Sequence, residues 1–126
     1  MTKKIHQTDK APAALGPYSQ AVSVGNLLFI SGQLPIDPVS GKMIDGDIAT
    51  RTHQVLANLK AIAQAAGAGL DRIVKTTIFL TDLNDFQAMN SAYATHFPEG
   101  PPARSTVQVA ALPLGSNIEI EAILSL

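Results

Sequence analysis

Arg104 opens an alternating, β-branched run, Ser105-Thr106-Val107-Gln108-Val109, directly after Pro101-Pro102-Ala103. A guanidinium is planar, permanently charged and carries a fork of donors that fits a carboxylate with two parallel bonds, so an arginine held half-buried here would want an anion. The prolines lack an N–H and keep the backbone before them extended, so a strand starts after them. Along it Ser105, Val107 and Val109 share one face, and Arg104, Thr106 and Gln108 the other. A solvated or ion-paired surface arginine is the commoner use of such a position, and the rest of the chain must decide between the two.

Two carboxylates form a second set. In Asn117 to Leu126, Ile118, Ile120, Ala122 and Leu124 alternate with Glu119, Glu121 and Ile123, which puts both acids on one face of a terminal strand. The connector Ala110 to Ser116, with Pro113 and Gly115, is short enough for this strand to pair antiparallel with the Arg104 strand. If the apolar faces of both strands rest on helices, Arg104, Thr106, Glu119 and Glu121 lie within a few residues of one another. The plainer alternative is a cross-strand ion pair on a wet face, worth under about 1 kcal/mol.

Further candidates flank these. Ser31-Gly32 ends an apolar run; the glycine admits close approach to the backbone and the serine offers a hydroxyl and an N–H, although the same pair also suits a bulge. Tyr18 follows Gly16-Pro17, where its ring can anchor the segment and its hydroxyl serve as a polar handle. Asn90 falls on the semi-buried face of a helix, where a satisfied core amide is its simplest role. His53 falls on a helix's outer face, away from other histidines or acids, as a solvated residue.

The positioning elements follow from periodicity. Val22-Ser23-Val24 and Leu27 to Ser31 flank Gly25-Asn26, a hairpin signal, and Ile36 to Gly46 is turn chemistry. Asp47 caps a long amphipathic helix, with Ile48, Thr52, Val55, Leu56, Leu59, Ile62, Ala63 and Ala66 on its buried stripe until Gly67. Gly67-Ala68-Gly69 follows a helix and lacks a third glycine, so it ends the helix and does not cradle phosphate. Ile73 to Leu80 is a central strand with apolar residues on both faces, expected to be covered on both sides, and Asp82 to Asp85 cap a second helix running to about His96, with Phe86, Met89, Asn90 and Tyr93 at helical spacing.

Composition narrows the function classes. The chain has 126 residues, a length suited to one domain over residues 1–126. A net charge of −1 and 5% aromatics argue against nucleic acid, whose binders carry basic stripes and stacking rings. With no cysteine there is no disulfide framework, thiolate metal site or cysteine nucleophile, and no cluster of ligands for a metal is visible. Met1 to Lys10 is polar and no apolar run approaches a membrane span, so no membrane partner and a cytoplasmic location are expected.

The order ββαβαββ sets both helices on one face of one sheet. The other face still presents Leu27, Phe29 or Leu28, Ile30 and part of 73–80. So much apolar surface calls for burial against another copy of the chain, with the polar cluster at the boundary.

Taken together, Gly16-Pro17-Tyr18-Ser19-Gln20-Ala21, Ile30-Ser31-Gly32-Gln33, Gly46-Asp47-Ile48, Val74 to Leu80, Asp85-Phe86, Pro102-Ala103-Arg104-Ser105 and Ile118-Glu119-Ile120-Glu121-Ala122 closely resemble the reactive intermediate deaminase (RidA/YjgF) family from about residue 5 onward. The resemblance implies an α+β, chorismate-mutase-like fold and a homotrimer with intersubunit sites. It also implies cofactor-free hydrolysis of 2-imino acids such as 2-iminobutanoate and 2-iminopropanoate to 2-keto acids and ammonia. By position Arg104 resembles the substrate-carboxylate clamp and Glu119 the acid that orients or activates water, with Tyr18, Ser31, Gly32 and Asn90 as pocket wall. Thr106 stands where the family has cysteine. Two other readings remain: a regulator that binds small carboxylates without turnover, and the endoribonuclease or translation-inhibitor activity attached to the family.

Overall fold

The computed structural model describes residues 2–126. Its single sheet has six strands, β1 (Lys4–His6), β2 (Ala21–Val24), β3 (Leu27–Gln33), β4 (Ile73–Leu80), β5 (Ala103–Gln108) and β6 (Ile118–Ser125), with helices α1 (Ile48–Ala65) and α2 (Phe86–Ala94). The spatial order is β1-β2-β3-β6-β4-β5, with β4 and β5 parallel and every other pair antiparallel. The two helices pack on each other and share one core with one face of the sheet.

The local signals act as their chemistry demands. Gly25, at φ 59°, makes the tight turn between β2 and β3. The Asp47 carboxylate accepts hydrogen bonds from Thr50 N (2.9 Å) and Thr50 Oγ1 (2.8 Å), capping α1. The helix ends where Gly67 turns left-handed, φ 83°, while Ala68 N donates to Ala63 O. The buried stripe of α1 also contains Asn58, whose amide donates to the Leu34 and Ile36 carbonyls at 3.2 and 3.0 Å and pins the chain that leaves β3.

Two expectations fail. Strand β1 was not anticipated, because Lys-Lys-Ile-His offers too little apolar alternation. It is held at the edge by pairing with β2 and by Gln20, whose side chain exchanges hydrogen bonds with Thr8 N (2.7 Å) and Thr8 O (3.0 Å). More consequentially, β6 does not pair with β5: it passes β4 and inserts between β3 and β4, and β5 lies at the far edge. Burial explains the exchange. Ile118, Ile120, Ala122 and Leu124 of β6 are all buried beneath the helices, whereas β5, Ala-Arg-Ser-Thr-Val-Gln, has no buried residue and suits an edge.

The face away from the helices carries Leu27, Phe29 and Val107, which are 38, 42 and 41% exposed, while Leu28 and Ile30 point into the core. Strand β4 is therefore covered by this chain on one side, not both. No helix among the described residues is long and apolar enough to cross a membrane.

Candidate functional site

The register sorts the candidate residues onto two sides of the sheet. Arg104 is opposite Thr76 on β4, and Thr106 is opposite Ile78, so both face the helices. Glu119 pairs with Phe79 and Glu121 with Thr77, the odd-numbered positions of β4 that face away from them. The expected cluster of Arg104, Thr106, Glu119 and Glu121 therefore does not form within one chain. It presumed that Val107 packs on the helices, but α2 offers two aromatic rings and an amide there, and these accommodate the flat guanidinium while Val107 faces out.

Glu119 lies in a hollow of about 650 Å³ on the open face, walled by Tyr18, Ser31, Gly32, Gln33, Glu121 and the apolar Leu15, Leu34, Ile36 and Leu114. Ser31 and Gly32 form a bulge that shifts the register between β3 and β6. The bulge brings the Gly32 backbone against the acid: a Cβ at Gly32 would stand 2.7 Å from Glu119 Oε2 and 2.8 Å from its Cδ. Loss of hydration, and secondarily the neighbouring Glu121 charge, raise the Glu119 pKa above the ordinary glutamate value. A carboxylate raised in this way holds a proton more readily than a solvated one, which suits it to proton transfer.

Ser31 is less free than its type suggests. Its hydroxyl donates to Ser19 O at 2.6 Å and its N–H to Gln20 O at 2.9 Å, so in this geometry it presents only acceptor capacity to the hollow. Tyr18, 52% exposed, anchors no core; its ring forms part of the hollow's rim. A wider groove of about 840 Å³ along β1 shares only Tyr18 with the candidate residues.

Arg104 borders a separate hollow of about 350 Å³, between α2 and Pro101-Pro102, together with Asn90, Tyr93, Ala94 and Phe97. Its Nη1 donates to Asn90 Oδ1 at 2.7 Å, which gives the half-buried asparagine a role other than core amide. The guanidinium carbon lies 5.6 Å from the centre of the Phe86 ring and 5.1 Å from that of Tyr93. Among the described residues Arg104 meets no carboxylate, so its remaining donors are uncommitted. Thr106 borders neither hollow, and its buried Oγ1 has no hydrogen-bond partner among the described residues. Sequence reasoning placed Phe86 and Tyr93 on the helix but gave them no part in the site; their signal is the 86, 90, 93 spacing, one face of α2.

His53 is not isolated. Its Nδ1 lies 2.8 Å from Nε2 of His96, at the seam between α1 and the end of α2, a contact between residues 43 positions apart that a one-helix reading cannot reveal. No group of three or more histidine, aspartate or glutamate side chains converges as a metal site among the described residues.

Comparison with known proteins places this architecture. A family model described as Endoribonuclease L-PSP matches residues 8–125. A RutC family protein of Pyrococcus abyssi is 50% identical over 123 residues, covering 98% of this chain and 97% of its own. The 2-iminobutanoate/2-iminopropanoate deaminase of Mus musculus is 50% identical over 121 residues, covering 96% and 90%. Among solved structures, RidA from an Antarctic Psychrobacter superposes with a TM-score of 0.94 at 50% identity over 98% of this chain and 99% of that one. TdcF of E. coli with bound serine gives 0.93 at 44% identity, over 98% of each chain.

Proposed function

The chain belongs to the Endoribonuclease L-PSP family, the reactive intermediate deaminases, and from that premise we propose that it hydrolyses 2-imino acids to 2-keto acids and ammonia. The observation that carries the reading is an arginine with no acid partner among the described residues, beside a hollow that it borders. A 2-imino acid such as 2-iminobutanoate supplies the missing carboxylate. Serine in TdcF, a close structural neighbour, carries the same group.

The chemistry asks little of the protein. An iminium carbon is already electrophilic, so the site must hold the carboxylate, place water over one face and move protons. Arg104 pins the carboxylate with its donor fork. Glu119, ionised, takes a proton as water adds to C2. The same proton then goes to the nitrogen of the tetrahedral adduct, and as ammonia leaves the adduct's hydroxyl gives its proton to the freed Glu119 carboxylate, so that C=O forms and the keto acid remains. Tyr18 and Gly32 shape the wall around Glu119. Ser31, with its donors engaged, holds the bulge and does not stabilise an oxyanion.

Because Arg104 and Glu119 occupy opposite sides of the sheet, one chain cannot bring them to one ligand. We therefore propose that residues 1–126 act as one domain within a homotrimer, each site taking Arg104 from one protomer and Glu119 from its neighbour. The outward Leu27, Phe29 and Val107 favour such association, since burying the two-fifths of each that is still exposed contributes about 1 kcal/mol. We place the trimer in the cytoplasm.

The test couples a dehydratase that generates 2-iminobutanoate to measurement of 2-ketobutyrate release. Acceleration by the protein, lost in Arg104→Ala, is expected; an unchanged rate in that variant refutes the assignment. The family's descriptor favours a second reading, RNA cleavage, which predicts degradation of single-stranded RNA by the purified protein. Binding of 2-ketobutyrate without faster imine loss would instead identify a regulator.

A further inference from the structure

We propose that Phe86, Tyr93 and Thr76 are positioning residues that aim Arg104, with Asn90, so that the guanidinium presents one preset edge to a carboxylate. This rests on the deaminase reading for its consequence in turnover, but the cradle itself stands on geometry. An arginine side chain has four rotatable bonds and, on an edge strand, ordinarily samples many directions. Here three contacts from one helix face restrict it. Phe86, Asn90 and Tyr93 are spaced by four and three residues, which stacks them along a single side of α2 facing β5. The rings of Phe86 and Tyr93 engage the cation at 5.6 and 5.1 Å, and the Asn90 carbonyl takes one Nη1 proton at 2.7 Å.

Tyr93 is itself fixed from beneath. Its hydroxyl lies 2.7 Å from Oγ1 of the fully buried Thr76, the β4 residue paired with Arg104. The ring on which the guanidinium rests is thus tied to the strand beside Arg104, so helix, central strand and edge strand are locked in one register. An ammonium could accept the aromatic faces but could not offer a planar fork while holding Asn90, so the cradle selects arginine over lysine.

The experiment measures the guanidinium directly and then its consequence. In the intact protein, 15N NMR of the Arg104 side chain should show slowed rotation about Nε–Cζ, diminished in Phe86→Leu and Tyr93→Phe, and a ring-current shift that Phe86→Leu diminishes. The same variants should raise KM for the imine, and the dissociation constant of 2-ketobutyrate, by about 3- to 10-fold with a smaller change in kcat, as expected for loss of one cation–π face or of its anchor. Arg104→Lys should not recover the wild-type KM, and Gln87→Ala, on the exposed side of α2, should leave all these readouts unchanged. A freely rotating guanidinium in the wild type, or unaltered KM and ligand affinity in both variants, overturns the cradle. Absence of imine hydrolysis by the wild type, with slowed guanidinium rotation intact, overturns the deaminase reading and leaves the cradle standing.

Discussion

Replacing Gly32 by alanine should separate activity from stability. The new Cβ would begin 2.7 Å from Glu119 Oε2 and 2.8 Å from Cδ, against an ordinary contact of roughly 3.5–4 Å, so the carboxyl must retreat by about 1 Å. Gly32 does not occupy the left-handed region, so alanine meets no backbone strain there. The loss of unfolded-chain freedom favours the variant by roughly 0.4–1 kcal/mol. A displaced Glu119 rotamer costs about 0.5–1.5 kcal/mol, so net stability should stay within about 1 kcal/mol of wild type. Catalysis has no such compensation: a 1 Å displacement of a reacting group costs roughly 100-fold. The assay is kcat/KM for imine hydrolysis alongside a thermal melt. Gly69→Ala is the matched control, since its Cβ would lie 2.8 Å from the carboxylate of Asp71, which lines neither hollow, and should leave the rate unchanged. A Gly32→Ala enzyme with the wild-type rate would refute the placement of Glu119 in the chemistry.

Other perturbations test separate parts of the structure. Thr106→Val removes a buried hydroxyl without a partner and should stabilise the fold by about 1 kcal/mol in denaturant unfolding, with activity retained; loss of activity would mean that the hydroxyl serves the ligand. Glu121→Gln removes one cause of the raised Glu119 pKa, so the acid limb of the pH–rate profile should move to lower pH; an unmoved limb would detach that limb from Glu119. Burial, His53 and Lys60 hold the His96 pKa below the usual histidine value. The folded protein then binds fewer protons than the unfolded chain, so this contribution to stability is full above pH about 6.5 and is lost as the pH falls through the lowered pKa. Melts from pH 7.5 to 5 should show a steeper acid loss in wild type than in His96→Gln. Sedimentation should give three times the chain mass, and Phe29→Lys, on the open face, should shift it toward the monomer; an unshifted trimer would mean that the face is not used.

Periodicity and caps made the local elements legible. The Asp47 cap, the α1 stripe, the Gly25-Asn26 turn and the 73–80 strand stand where their residues foretell, because each signal involves neighbours a few positions apart. Arg104, Glu119 and the Ser31-Gly32 bulge were also visible as candidates from type and placement. Strand order was not legible. A short connector before β6 is compatible with a hairpin, and only competition for the helix-covered centre sends the more apolar β6 inward and leaves β5 at the edge. That choice decides which face each side chain takes, so it separates Arg104 from Glu119 and joins Arg104 to Phe86, Asn90 and Tyr93, while the packing of α1 on α2 brings His53 to His96. Sequence determined which chemical groups the chain offers and the local elements that carry them. Packing alone decided which groups meet, because burial is a property of the whole sheet and its two helices and not of any one segment.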